Sequence, residues 1–408
     1  MPLTISIPSP LRTYTGGHST IEVSGKTVGS ALASLIEKYP DLKKQLYSDD
    51  GQLRSFVNVY LNDEDIRYLQ RSETAVAPDD TIAIVPSIAG GMRSTYRTTD
   101  AALATYGVKP LARVGNTPLL RFESLTRSWP LIQILGKAEW ENPGGSVKDR
   151  AALKIIESAL RSGALASGRR LLDASSGNTG IAYAMIGAAH GIPVTLCVPE
   201  HVSIERKRIL TAYGAEIIWT DRQEGTDGSI RKARELYRSD PAKYFYADQY
   251  SNDANWLAHY HGTAQEIWQQ TEGAVTHFVA GLGTSGTFMG TTRRLKEFNP
   301  AVCAISMQPD SALHGLEGLK HMPTVMVPRI YDPSLADEAL EISTEEAYSM
   351  LKRVARSEGV LLGISAGAAL AACEHVAKRI ASQKEPQSAV IVTVLPDSGD
   401  RYLSEDLY

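Results

Sequence analysis

Four short segments rich in glycine and small polar residues punctuate the chain between residues 142 and 368. They are Asn142-Pro143-Gly144-Gly145-Ser146-Val147-Lys148-Asp149-Arg150, Ser175-Ser176-Gly177-Asn178-Thr179-Gly180, Gly281-Leu282-Gly283-Thr284-Ser285-Gly286-Thr287 and Gly363-Ile364-Ser365-Ala366-Gly367-Ala368. Each falls where an extended stretch gives way to a helical one. Apolar runs such as LIQILGK, IPVTLCVP, THFVAG and SAVIVTVLP read as strands buried on both faces. They alternate with helical stretches such as AALKIIESALRSG, IAYAMIGAAHG and RRLKEF. A β-α-β-α order predicts an α/β fold with a largely parallel sheet. Turns from strand to helix are where such a fold builds its ligand sites. The 317 residues that follow position 91 of this 408-residue chain predict two lobes with a cleft between them.

The first 91 residues have another rhythm. LTISIP alternates as a strand does, and GGHSTIEVS supplies a turn and a second strand. Val28, Leu32, Leu35, Ile36 and Tyr39 then share one face of a helix, which Pro40 ends. RSFVNVYLN and TIAIVPSI read as further strands, with Asn62-Asp63 as a turn. These elements predict a small α+β domain ending in Ala89-Gly90-Gly91. The polar stretch MRSTYRTTD after it reads as the start of a linker, placed at 92–104.

Charge excludes some classes. Lys and Arg number 42 against 46 Asp and Glu, a net charge of −4. That balance gives no reason to expect nucleic-acid or membrane-surface binding. No apolar run approaches the ~18 residues of a membrane span, and MPLTISIPSPLR lacks the form of a signal peptide. Cys197, Cys303 and Cys373 are an odd number without metal-ligand spacing. They predict buried free thiols in a reducing, cytoplasmic compartment, and no metal.

The third glycine segment lies between a strand and the helix FMGTTRRLKEF, so its N–H groups suit a phosphate. Gly281, Gly283 and Gly286 also match the dinucleotide pattern G-x-G-x-x-G. That pattern expects an acidic residue at the end of the next strand. Here Gln308 follows AVCAISM, and Asp310 comes only after Pro309. No Walker signature is present. A phosphate cup together with Lys148 on a glycine turn suggests pyridoxal phosphate, which needs both, and a partner for its ring nitrogen.

In this order and spacing the motifs NPGGSVKDRAA, SSGNTG, GLGTSGT and GISAGAA resemble the cysteine synthase family of fold-type II pyridoxal-phosphate enzymes, a tryptophan synthase β-like fold. The resemblance spans about residues 105–405 of an enzyme domain placed at 105–408, with VGNTPLL near its start and PDSGDRYLS near its end. It implies that Lys148 carries the cofactor in Schiff-base linkage. Asn178 would bond its 3′ oxygen, and Ser365 would face the pyridine nitrogen. Gly283, Thr284, Ser285, Gly286 and Thr287 would cradle the phosphate. Ser175, Ser176, Gly177, Asn178, Thr179 and Gln249 would grip the substrate carboxylate. The bland readings are an Asn178 that shapes a turn and a Ser365 that caps its helix. The implied reaction is β-replacement on an O-activated serine, in which the Lys148 amine takes the α-proton and sulfur replaces the leaving group.

Residues 1–91 resemble the ubiquitin-like β-grasp sulfur carriers of the ThiS/MoaD group, closest to the carrier of mycobacterial-type cysteine synthases. TISIPSPLR, FVNVYLNDEDIR and SIAGG carry the likeness. A free carrier ends in Gly-Gly and delivers sulfur as a thiocarboxylate. Here Gly91 is joined to Met92, so the resemblance implies cleavage after Gly91 by a peptidase. An adenylyltransferase and a sulfurtransferase would then activate the released carrier. The other readings are a fused docking module on a sulfide-using enzyme, and a cystathionine β-synthase. Carrier-dependent relatives favour O-phosphoserine and hold it with an arginine. The counterpart in HGLEGLKHMPT is Lys320, which offers charge without a bidentate fork, so O-acetylserine stays open. The family also implies a homodimer.

Overall fold

A computed structural model describes residues 2–48, 51–54, 57–62, 64–78, 80–86, 109–166, 168–175, 177–200, 202–385, 387–405 and 408. Chain contacts divide it into two units, Met1–Ala104 and Thr105–Tyr408. Gly90, Gly91, Met92 and Ser176 lie outside the described residues.

The small unit is one five-stranded sheet with a helix on its face. Its strands are β1 (Pro2–Ser6), β2 (Thr20–Ser24), β3 (Val57–Leu61), β4 (Glu64–Asp65) and β5 (Thr81–Pro86), in the order β2-β1-β5-β3-β4. β1 and β5 run parallel while the other pairs are antiparallel, the β-grasp arrangement. Helix α1 (Val28–Lys38) starts at a capping box formed by Thr27 and Ser30. It buries Val28, Ala31, Leu32 and Leu35, while Ile36 and Tyr39 stay half-buried at the rim of the expected face. Ile5, Leu32, Leu35 and Ile82 have no exposed surface, and each such side chain contributes about 1.5–3 kcal/mol by burial.

The large unit holds two sheets. One comprises β8 (Arg170–Ala174), β9 (Val194–Pro199), β10 (Glu216–Thr220) and β11 (Tyr244–Tyr246), all parallel, in the order β10-β9-β8-β11. The other comprises β6 (Leu119–Arg121), β7 (Ile132–Ala138), β12 (His277–Gly281), β13 (Cys303–Pro309), β14 (Glu338–Ile342) and β15 (Ala389–Leu395). Its order is β14-β13-β12-β15-β7-β6, parallel except at β6. The buried runs read from sequence are therefore strands, and each sheet is one lobe. Five helices position the site: α2 (Lys148–Arg161), α3 (Asn178–His190), α4 (Ile204–Ala212), α5 (Gly286–Phe298) and α6 (Ile364–Ala381).

No described helix is long and apolar enough to cross a membrane. Cys197 and Cys373 are buried, whereas Cys303 is only half-buried, and all three are free thiols. The fourth glycine segment also departs from expectation. No strand precedes it; Leu362 makes only an isolated bridge to Ser398 before α6 begins.

Candidate active site

The glycine turns converge on one cleft of about 440 Å³ between the lobes. Lys148 is the first residue of α2. The turn before it is tied to the end of β15. Val147 N donates to Pro396 O at 2.9 Å, and Ser146 pairs with Asp397. Gly144 N donates to Asp149 Oδ2, and a Cβ on Gly144 would sit 2.5 Å from Oδ1 and 2.8 Å from Oδ2 of the same carboxylate. Burial holds the Lys148 ammonium below the ordinary lysine value, against the pull of Asp397 and Glu139.

Two residues past Lys148, Arg150 anchors the helix in a buried ion cluster. Its Nε and Nη2 donate to Glu139 at 2.6 and 2.8 Å, and its Nη1 and Nη2 to Glu266 at 2.6 and 2.7 Å. Lys137 Nζ lies 2.6 Å from Glu266. Burial opposes ionisation of Glu266, but Arg150 and Lys137 together outweigh it and hold that carboxyl at about 2.

The phosphate-type turn runs from β12 into α5. Ser285, φ 69°, is the N-cap residue of α5, and its side chain makes no cap bond. Its Oγ is buried and has no hydrogen-bond partner among the described residues. Gly283 is pressed against Gly318: a Cβ would lie 2.4 Å from that carbonyl oxygen. Gly286 likewise leaves room only for Asn255. Asn255 Nδ2 donates to Thr284 Oγ1 at 3.0 Å, and Thr287 Oγ1 lies 3.3 Å from His259 Nε2. Burial, then the charge of Arg150, pushes His259 down to about 3, so its ring is neutral. An unpartnered hydroxyl, open N–H groups at a helix start and absent Cβ atoms together fit a phosphate group.

The second segment carries the other expected residues. Ser175 Oγ accepts from Gly180 N at 2.9 Å and closes the first turn of α3. Thr179 Oγ1 donates to Gln249 Oε1 at 2.8 Å, and Gln249 Nε2 donates to Ala174 O at 3.0 Å. Gly177 and Asn178 line the cleft beside them. Asn178 has a partner the sequence did not suggest: its Nδ2 donates to Asp397 Oδ2 at 2.6 Å. Arg401 Nη1 donates to Asn178 Oδ1, and Tyr402 donates to the same Asp397 oxygen at 2.7 Å. Burial raises Asp397, with Asn178 and Tyr402 pulling the other way.

Ser365 is the second residue of α6, whose N-cap is Gly363, so it is not the cap. It is 7% exposed and faces the cleft. Lys320 also lines the cleft, with Nζ 5.1 Å from the Tyr250 ring centroid and its charge disfavoured by burial. The structure thus gathers the described candidates around one space; Gly286 alone is set behind the lining, inside α5. Sequence reading assigned no role to Asp397, Arg401, Tyr402, His259, Arg206 or Glu317. The first three lie in or beside PDSGDRYLS, where the motif was visible but its contact with Asn178 was not.

The family model described as "Pyridoxal-phosphate dependent enzyme" matches residues 111–397, and that of the ThiS family matches 5–91. A cysteine synthase of Aquifex aeolicus is 49% identical over 300 residues, covering 73% of this chain and 91% of its own. An O-acetylserine dependent cystathionine beta-synthase of Bacillus subtilis is 39% identical over 300 residues, covering 72% and 95%. The crystal structure of a cysteine synthase (OASS) from Entamoeba histolytica superposes with a TM-score of 0.69 at 34% identity, covering 78% of this chain and 94% of that one.

Proposed function

The chain belongs to the pyridoxal-phosphate dependent enzymes, as a cysteine synthase with a ThiS-type domain fused in front, and we propose that it makes cysteine from O-phosphoserine with sulfur delivered by its own N-terminal domain. The observation that carries this reading is a single cleft lined by both Lys148 and Lys320, in a chain whose ThiS-family match ends at Gly91. O-acetylserine, named in the Bacillus subtilis relative, is the alternative substrate.

Pyridoxal phosphate, when bound, supplies an electron sink conjugated to the substrate's α-carbon. Ser285, with the N–H groups of Gly283, Thr284, Gly286 and Thr287, would hold its phosphate. Ser365 would meet its ring nitrogen with a neutral hydroxyl. Lys148 would be the covalent anchor and would take the α-proton at Nζ; burial lowers its basicity, which favours the free amine. Thr179 and Gln249, locked to one another, would fix the substrate carboxylate together with Ser175, Ser176 and Gly177. Lys320 would face the leaving phosphate. Two walls of the cleft come from different lobes, so their closure on substrate would exclude water from the developing negative charge.

We assign residues 1–91 as the carrier, 92–104 as the linker and 105–408 as the enzyme. A peptidase would cut the Gly91-Met92 bond, and the freed carboxylate would be activated as a thiocarboxylate. Glycines without Cβ suit a tail that must enter a narrow cleft. Intact-mass analysis of the protein from its native host should show carrier and enzyme as separate species; only full-length chain in cells making cysteine would favour a fused docking domain. Single-turnover release of phosphate or acetate from the two serine esters decides the substrate. Faster phosphate release is expected.

A further inference from the structure

Arg206 has no place in the chemistry above, yet it lines the same cleft as Lys148 and Lys320. It comes from α4 in the four-stranded lobe and is 7% exposed. Nη1 donates to the Glu317 carboxylate, which belongs to the connection after β13 in the other lobe. That carboxylate is the wetter partner: the Glu317 side chain is 36% exposed and that of Arg206 9%. Arg206 Nε is buried with no hydrogen-bond partner among the described residues. The guanidinium carbon stands 5.6 Å from the Tyr402 ring centroid.

A buried guanidinium with an unused donor is costly. One carboxylate that is partly in water does not use the planar fork, whose geometry matches a phosphate. Glu317 also lies three residues before Lys320, so one short loop brings a cation and the counter-charge of a second cation to the cleft. Asp227, another lining residue, acts on Lys320. With Glu317 in place, Glu317 and Asp227 balance the two cations, the lining Glu224 being paired with Arg231 at 3.1 Å. Once Glu317 moves into solvent, a net positive charge is left for an incoming dianion.

We propose that Arg206 and Lys320 form one anion subsite, in which Glu317 is a resident placeholder displaced by the phosphate ester of the substrate. This deepens the O-phosphoserine reading and rests on it for the identity of the ligand. Arg206 supplies the bidentate fork that Lys320 lacks.

The test uses the full-chain holoenzyme and single-turnover release of phosphate and acetate from the two esters. Arg206→Gln should weaken apparent binding of O-phosphoserine about tenfold more than that of O-acetylserine, and Arg206→Lys should recover part of the loss. Glu317→Gln should move the ratio the other way and lower the inorganic phosphate needed to inhibit acetate release. Equal losses on both esters, or a Glu317→Gln variant without any gain for phosphate, would overturn the proposal. If Arg206→Gln fails to fold, the gain in Glu317→Gln decides alone. If the unsubstituted enzyme releases no phosphate from O-phosphoserine, the substrate reading falls. The subsite then stands or falls on phosphate inhibition of the O-acetylserine reaction in Glu317→Gln.

Discussion

At Asp173 the fold places a carboxyl where water cannot reach it. It is fully buried below the second glycine segment, where it accepts from Ala174 N at 2.8 Å and Gln249 N at 3.3 Å. Burial, only partly offset by those two N–H groups, pushes it up to about 7 from an ordinary 3.8. Between those values the folded chain keeps a proton that the unfolded chain has lost. The stability this proton contributes is full below about pH 4 and is lost as the pH rises through 7. Asp173→Asn removes the titration. Its unfolding midpoint should therefore gain on that of the unsubstituted protein between about pH 5 and about pH 8; a difference independent of pH contradicts the assignment. Residues such as Lys148 and Asn178 were legible in the sequence because their motifs are contiguous. The Asp397 that engages Asn178 is 219 positions away, and no spacing rule reaches that far.

Among elements, the glycine turns set the cleft because several admit no side chain. Gly283→Ala would drive a Cβ to 2.4 Å from the Gly318 carbonyl, a backbone atom that cannot rotate aside. The expected result is about tenfold weaker retention of pyridoxal phosphate, read by cofactor titration, with the unfolding midpoint of the cofactor-free chain lowered much less. A midpoint that falls as far as retention would make the turn a folding element only. Helix α1 was readable from its period because one face meets the sheet. α3 is buried along most of its length, from Thr179 to Gly187, so its period carried no signal, and the glycine segment before it located it instead. At the start of α6 the rival capping reading of Ser365 falls away, because Gly363 has the N-cap place.

For the molecule as a whole, each unit closes a core of its own. Ile5, Leu32 and Ile82 belong to one cluster, while Ile134, Leu370 and Ile391 belong to another. Separate cores predict separate cooperative transitions. Cutting the chain after Gly91 should leave both unfolding midpoints within about 2 °C of their values in the intact protein, as followed by calorimetry. A single transition that splits only after cutting would show the units to be energetically coupled. Release of the carrier would then carry a stability penalty that the proposed function does not expect.

The sequence by itself located the long buried strands, the glycine segments with the reactive groups they carry, and the two-part organisation. Those features are local: alternation, helical period and small residues act on neighbours along the chain. Tertiary structure alone decided the pairing of Arg206 with Glu317 across the lobes, the hold of Asp397 on Asn178, and the neutral state of His259. Desolvation and through-space charge set these properties. Both depend on what the fold packs around a side chain, and residues more than a hundred positions apart supply it.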